Sequence, residues 1–194
     1  MIKTDFNNGF KGFADNEKIL LDTCVILALA NEYDAWHNTV SNFFWNSILN
    51  DDDDDNSKAL FLFVNPMILS ELTHLAGRPL DNYAKKHPKE DLTKINAKMV
   101  IDNTVGDIKK LIENDVFLVV DGNKETVKKQ TVKKQIQLYK SLGPTDAANV
   151  AIANEHGLNF LTVDVRLANN MIRNQKKLPN IKTVYTTTPK HRTY

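Results

Sequence analysis

Four short apolar runs punctuate the chain at residues 18–22 ("KILLD"), 59–65 ("ALFLFVN"), 116–120 ("VFLVV") and 159–164 ("NFLTVD"). Their shortness and abrupt ends predict buried strands rather than helices. The segments between them carry apolar residues at helical spacing. Asp22-Thr23 suits a strand-to-helix turn, with either side chain able to cap a helix running to about Asn31. A second helix is predicted over 34–50, where Trp36, Val40, Phe43, Phe44 and Ile48 fall near one face. Pro66 opens "PMILSELTHLAG", a helix ended by Gly77. Further helices are predicted over 123–143, between Pro144 and Gly157, and over 165–175, and "IKTVYT" (181–186) closes the chain as a short strand.

Short apolar strands alternating with helices predict an α/β fold with a parallel central sheet of about four to five strands flanked by helices. The 194 residues suit a single domain, 1–194, with its core at about 18–186. The polar stretch 78–115 adds a helical region, in which Leu92, Ile95, Met99, Val100, Ile108, Leu111 and Ile112 mark one or two helices. The tandem pentapeptide TVKKQ-TVKKQ is too short for a solenoid repeat.

Composition is that of an ordinary globular protein, 42% hydrophobic and 25% charged. No apolar run approaches the roughly 20 residues that span a bilayer, so no membrane role is expected. The polar start of the chain lacks the apolar middle of a signal peptide, and the single Cys24 excludes an internal disulfide framework or a cysteine-based zinc cluster. A cytoplasmic location is the expectation. The net charge of +1 conceals a gradient: residues 1–57 hold three Lys against eleven acids, whereas 165–194 hold seven Lys or Arg and no acid. The basic end suits a polyanion, and equally a solvated tail.

The chemistry lies in the acids at the strand ends. Ligand sites in open parallel sheets lie outside the carboxyl ends of the strands. Asp22 ends the first apolar run and Asp164 the fourth; Glu71 lies one to two turns into the helix entered from the second, and Asp146 sits in the first turn after Pro144. Each acid has a plain reading when taken singly: Asp22 and Asp164 as helix caps, Asp146 as a complement to a helix dipole, Glu71 as a solvated helix residue. Four together at one edge would repel one another unless a cation offset them. An all-oxygen donor set suits Mg²⁺ or Mn²⁺, and the corresponding chemistry is phosphoryl transfer to water. Thr23, Thr162 and Asn149 are placed to orient these acids or nearby waters, or to serve as caps and strand residues.

"LLDTCVILAL", "VNPMILSEL" and "GPTDAANVAIANEHGLNFLTVD" resemble, in order and character, the motifs of PIN-domain nucleases, most closely the ribonuclease toxins of the VapC type. The family's Asp followed by Ser or Thr is matched by Asp22 and Thr23, its helical Glu by Glu71, its Asp before small residues by Asp146, and its Thr-x-Asp by Thr162 and Asp164. The resemblance covers about 18–77 and 116–185. It implies a PIN-like fold, Mg²⁺ or Mn²⁺ held by the four acids, and RNA as the substrate. It also implies an antitoxin protein, and a second copy of the chain, as candidate partners. On that reading Arg166, Arg173, Lys176 and Lys177 hold RNA phosphates, and Lys128, Lys129, Lys133 and Lys134 are the next candidates or a solvated Lys-rich face.

Two other functions share much of this pattern. A PIN-like module that binds RNA without cutting it keeps the fold and drops the catalysis. An aspartyl-phosphate phosphatase would also place an Asp at the end of the first strand, but it wants a second acid two residues on, where Cys24 stands. The run Asp51–Asp55 lacks the alternating ligands and turn glycine of an EF-hand and reads as a solvated acidic loop. His74, three residues after Glu71, has no second Glu-x-x-His copy to form a di-iron site and reads as structural.

Overall fold

The computed structural model describes residues 1–49, 59–120 and 128–193. It is an α/β fold: one parallel sheet of six strands with eight α-helices among the described residues. The strands are β1 (Ile2–Asp5), β2 (Glu17–Leu21), β3 (Leu60–Val64), β4 (Phe117–Val119), β5 (Asn159–Leu161) and β6 (Thr183–Thr186), in spatial order β1-β6-β5-β2-β3-β4. All five neighbouring pairs run parallel. The helices are α1 (Thr23–Ala30), α2 (His37–Phe44), α3 (Pro66–Leu75), α4 (Arg78–Lys86), α5 (Ala97–Glu113), α6 (Lys129–Leu142), α7 (Pro144–His156) and α8 (Val165–Arg173).

The central strands are apolar because parallel sheets are covered on both faces. Ile19, Leu20 and Leu21 of β2 and Phe160 and Leu161 of β5 are fully buried. The sheet has one strand more than the upper expectation, and the addition is β1. Its sequence, IKTD, carries no apolar pattern, and Ile2 is 67% exposed. β1 is an edge strand made by its pairing with β6, from Ile2 opposite Thr183 to Asp5 opposite Thr186, which extends the core N-terminally beyond residue 18.

Local chemistry corrects several expected boundaries. Asp34 lies outside α2: its Oδ1 accepts from Trp36 N at 2.8 Å, so it caps the turn before the helix, which ends in a π-turn at Trp45–Leu49. β5 stops at Leu161, three residues short of Asp164. The stretch 78–115 forms α4 and α5 joined through a 3₁₀ turn at Leu92–Lys94. The Asp51–Asp55 run and the beginning of the helix expected from 123 lie outside the described residues. No helix among the described residues is long and apolar enough to cross a membrane.

Away from the Asp22 end of β2, Glu17 is buried at the strand's first position. Its Oε1 accepts from the Tyr185 hydroxyl and from Asn159 Nδ2 (2.6 Å), and its Oε2 from Ala14 N (2.8 Å), tying β2, β5 and β6 together. Burial, and then the bond to Glu17, push the Tyr185 phenol well up, so it stays a donor. Tyr185→Phe keeps the ring and loses a hydrogen bond to a charged group. It is expected to lower unfolding stability by roughly 1.5–3 kcal/mol in denaturant titration. Because the Tyr185 hydroxyl bonds Glu17 and none of the four acids, Mn²⁺-induced stabilisation of the folded variant should match the parent's.

Candidate functional site

Asp22 follows β2 directly and begins α1, and the sheet explains why a carboxylate can be buried there. Its backbone N–H donates to Leu161 O (2.9 Å) on β5. Its Oδ2 accepts from Thr162 Oγ1 at 2.6 Å and Cys24 Sγ at 2.9 Å, and its Oδ1 from Thr23 N at 2.9 Å. Burial pushes the Asp22 carboxyl up and Glu71 adds to this, against the lowering effect of those three bonds. Burial and the Asp22 charge also push the Cys24 thiol well up, so Cys24 serves as a neutral donor to Asp22. It occupies the position a phosphatase would give to its second acid.

The other acids reach the same place from three further elements. Glu71 lies on α3, whose start is fixed by Asn65: the Asn65 Oδ1 accepts from Met67 N (2.9 Å) and Ile68 N (3.1 Å). Thr23 Oγ1 donates to Glu71 Oε2 at 2.6 Å. Asp164 caps α8, its Oδ1 accepting from Arg166 N (2.8 Å) and Leu167 N (3.0 Å). Thr162 joins Asp164 to Asp22, since its Oγ1 accepts from Asp164 N (3.0 Å) while donating to Asp22. Asp146 is placed by Gly143, the one-residue joint between α6 and α7, which has φ +96° and ψ 162°, a region nearly closed to residues with a Cβ.

Asp22, Glu71, Asp146 and Asp164 line one cleft of about 270 Å³. Asp146 registers both the burial and the crowding. Burial first, then the charges of Asp22, Asp164 and Glu71, raise its carboxyl from the usual aspartate range to about 7, and only Arg166 pulls the other way. The donor set is all carboxylate and under-neutralised, which fits a hard divalent cation. Among the described residues, however, no group of three or more His, Cys, Asp or Glu side chains is arranged to hold a metal ion as it stands.

Thr23 and Thr162 each bond directly to one of the acids, whereas Asn149 does not. Fully buried on α7, Asn149 accepts from Asn65 Nδ2 at 3.2 Å and so meets the site only through the residue that caps α3. His74 is exposed and does not line the cleft. Arg166, Arg173, Lys176 and Lys177 are exposed on α8 and the 3₁₀ turn after it (Gln175–Lys177), and only Arg166 acts on a site acid. Lys134 Nζ donates to Lys177 O at 2.6 Å, which brings α6 beside that turn, while Lys128 pairs with Glu155 at 3.3 Å.

Three lining residues escape motif reading: Asp34, a fifth acid, and Arg78 and Asn82 of α4. A signal for the last two exists. Glu71, Leu75, Arg78 and Asn82 all line the cleft and are spaced i, i+4, i+7 and i+11, one helical face carried through Gly77, which itself has helical dihedrals.

No family model matches the chain, and no curated protein matches it. Among solved structures, the crystal structure of VapBC2 from Rickettsia felis bound to a DNA fragment from their promoter aligns at 12% identity. The alignment covers 86% of this chain and 97% of that one with a TM-score of 0.47, a similarity too low to assign a fold family or an activity.

The raised Asp146 carboxyl has a definite sign in stability. Unfolded, Asp146 loses its proton near the ordinary value of about 3.9; folded, it holds the proton to about 7. In that window the folded state binds more protons, so this group's contribution to stability declines as pH rises from about 4 to about 7. Without divalent ions, Asp146→Asn should melt above the parent at neutral and higher pH, and the gap should close toward pH 4. A melting-temperature series over pH checks it; a gap independent of pH would remove the repulsion from the account.

Proposed function

We propose that the chain is a divalent-metal-dependent endoribonuclease of the PIN type, hydrolysing RNA phosphodiester bonds as the toxin of a toxin–antitoxin pair. The observation that carries this reading is the convergence of Asp22, Glu71, Asp146 and Asp164 on one cleft at the carboxyl side of a parallel sheet, with Asp146 raised to about 7 by burial and then by the charges of its neighbours. The motif resemblance supplies the preference for RNA and the expectation of an antitoxin.

In this reading the four acids hold Mg²⁺ or Mn²⁺. Bound there, the ion offsets charge on the cleaved phosphate and promotes attack by water. The chain's own residues supply the framework. Thr162 and Cys24 hold Asp22 by donated hydrogen bonds, and Thr23 holds Glu71. Asp146, raised to about 7, would have to give up its proton to hold such a cation. Arg166 faces the acids from α8, and Arg173, Lys176 and Lys177 continue the basic surface away from the cleft. α8 spans about 13 Å, a track along which a single-stranded backbone can lie.

One observation favours the non-catalytic alternative: among the described residues no three acids are arranged to hold an ion as they stand. The two readings part on cleavage. The nuclease reading expects Mn²⁺-dependent cutting of single-stranded RNA, abolished in Asp146→Asn while RNA binding persists. Binding without cutting in the parent under any divalent ion would establish the scaffold instead. Neutralising Arg166, Arg173, Lys176 and Lys177 together should weaken RNA binding and flatten its salt dependence by roughly 0.7 in log–log slope per lost phosphate contact. Unchanged slopes would move the RNA to another surface, with α6 next in line.

A further inference from the structure

The acidic cleft has a second wall that the catalytic motifs do not account for. Five carboxylates line it (Asp22, Asp34, Glu71, Asp146 and Asp164), and among the described residues Arg78 is the one cationic side chain that does. Arg78 is exposed and forms no ion pair among the described residues. A phosphodiester entering this cleft meets a strongly negative field, of which a divalent ion cancels only part. A guanidinium on the facing wall supplies attraction, and its planar fork matches two phosphate oxygens in a way that a lysine does not.

The chain fixes where that guanidinium sits. The turn between α3 and α4 is held by buried Asn31, whose Nδ2 donates to Ala76 O (3.1 Å) and to Thr104 Oγ1 (3.0 Å) of α5. Gly77 lies beneath Ile101 of α5, where a Cβ would come within 3.1 Å of Ile101 Cδ1. The helical face that carries Glu71 therefore continues into α4 at Arg78 and Asn82, braced from behind by α5. An otherwise unexplained helical region, 78–115, acquires a role in building the cleft.

Building on the nuclease reading, we propose that Arg78 is a substrate-binding residue. Its guanidinium holds a phosphate of single-stranded RNA in the cleft, opposite Asp146 and Asp164, and Asn82 one turn on hydrogen-bonds the same nucleotide. The α4–α5 region exists in part to present this pair. The interaction is separate from the basic track on α8, which carries the strand outside the cleft.

The test uses the full chain with Asp146→Asn to silence cleavage, a labelled mixed-sequence single-stranded oligoribonucleotide as probe, and Mn²⁺ at fixed concentration. Adding Arg78→Ala should weaken binding by about tenfold or more, the scale of a charge-assisted contact. It should also flatten the salt slope by roughly 0.7, the value for one phosphate on a single strand. Arg78→Lys should keep the slope and recover only part of the affinity. In the otherwise native chain, Arg78→Ala should impair cleavage with melting temperature unchanged.

Unchanged affinity and slope in a protein whose parent binds and cuts RNA would overturn the role of Arg78 and leave the nuclease reading standing. Equal losses of melting temperature and binding in Arg78→Ala and Arg78→Lys, with the slope intact, would also overturn it, by making Arg78 a structural residue. A parent that neither binds nor cuts RNA would overturn both readings at once.

Discussion

Repulsion among carboxylates gathered at one edge of a parallel sheet is the constraint around which this structure is arranged. Parallel pairing of β2, β3 and β5 directs their carboxyl ends to one side, and the helices that follow begin there. The chain spends hydrogen bonds to hold the resulting charge. Thr162 alone donates to Asp22 and accepts from the backbone of Asp164, and Thr23 donates to Glu71. Asp146 carries what those bonds leave uncompensated: burial first, then the charges of three other acids, raise its carboxyl, and among the described residues Arg166 alone opposes them.

Much of this was legible in the sequence, for reasons that differ element by element. Residues 18–22 and 59–65 announced themselves as strands because central strands of a parallel sheet are buried on both faces and must be apolar. Asp22, Glu71 and Asp164 could be placed at one edge because each closely follows a strand end, whereas Asp146 follows the helix–helix joint at Gly143 and was placed by its position in the first turn after Pro144. β1 was not legible: IKTD has no apolar pattern, and its strand character comes from pairing with β6 at a distance of some 180 residues in sequence. Asn149 was placed on the correct helix but given the wrong company. A buried amide takes the nearest polar partner, and that is Asn65.

Arg78 and Asn82 were missed for a related reason. They carry no motif and lie just past Gly77, the expected end of a helix. Gly77 in fact keeps helical dihedrals, so the face bearing Glu71 runs on into α4. The contacts that make this matter, Asn31 to Ala76 and Ile101 over Gly77, join segments far apart in the chain. Local pattern could supply the acids of the cleft; only the packing of α5 shows what continues the face of Glu71 along it.

The central claim is that the clustered acids exist to be neutralised by a divalent ion. Calorimetric titration of the parent and of Asp146→Asn with Mn²⁺ near neutral pH, in buffers of different ionisation enthalpy, tests it directly because it counts protons as well as ions. The account predicts that Mn²⁺ binding to the parent expels a fraction of a proton, as expected of a carboxyl near 7 that must ionise on binding. Asp146→Asn should bind more weakly and expel much less. Heats that show no binding to the parent, or identical proton release from both proteins, would contradict it.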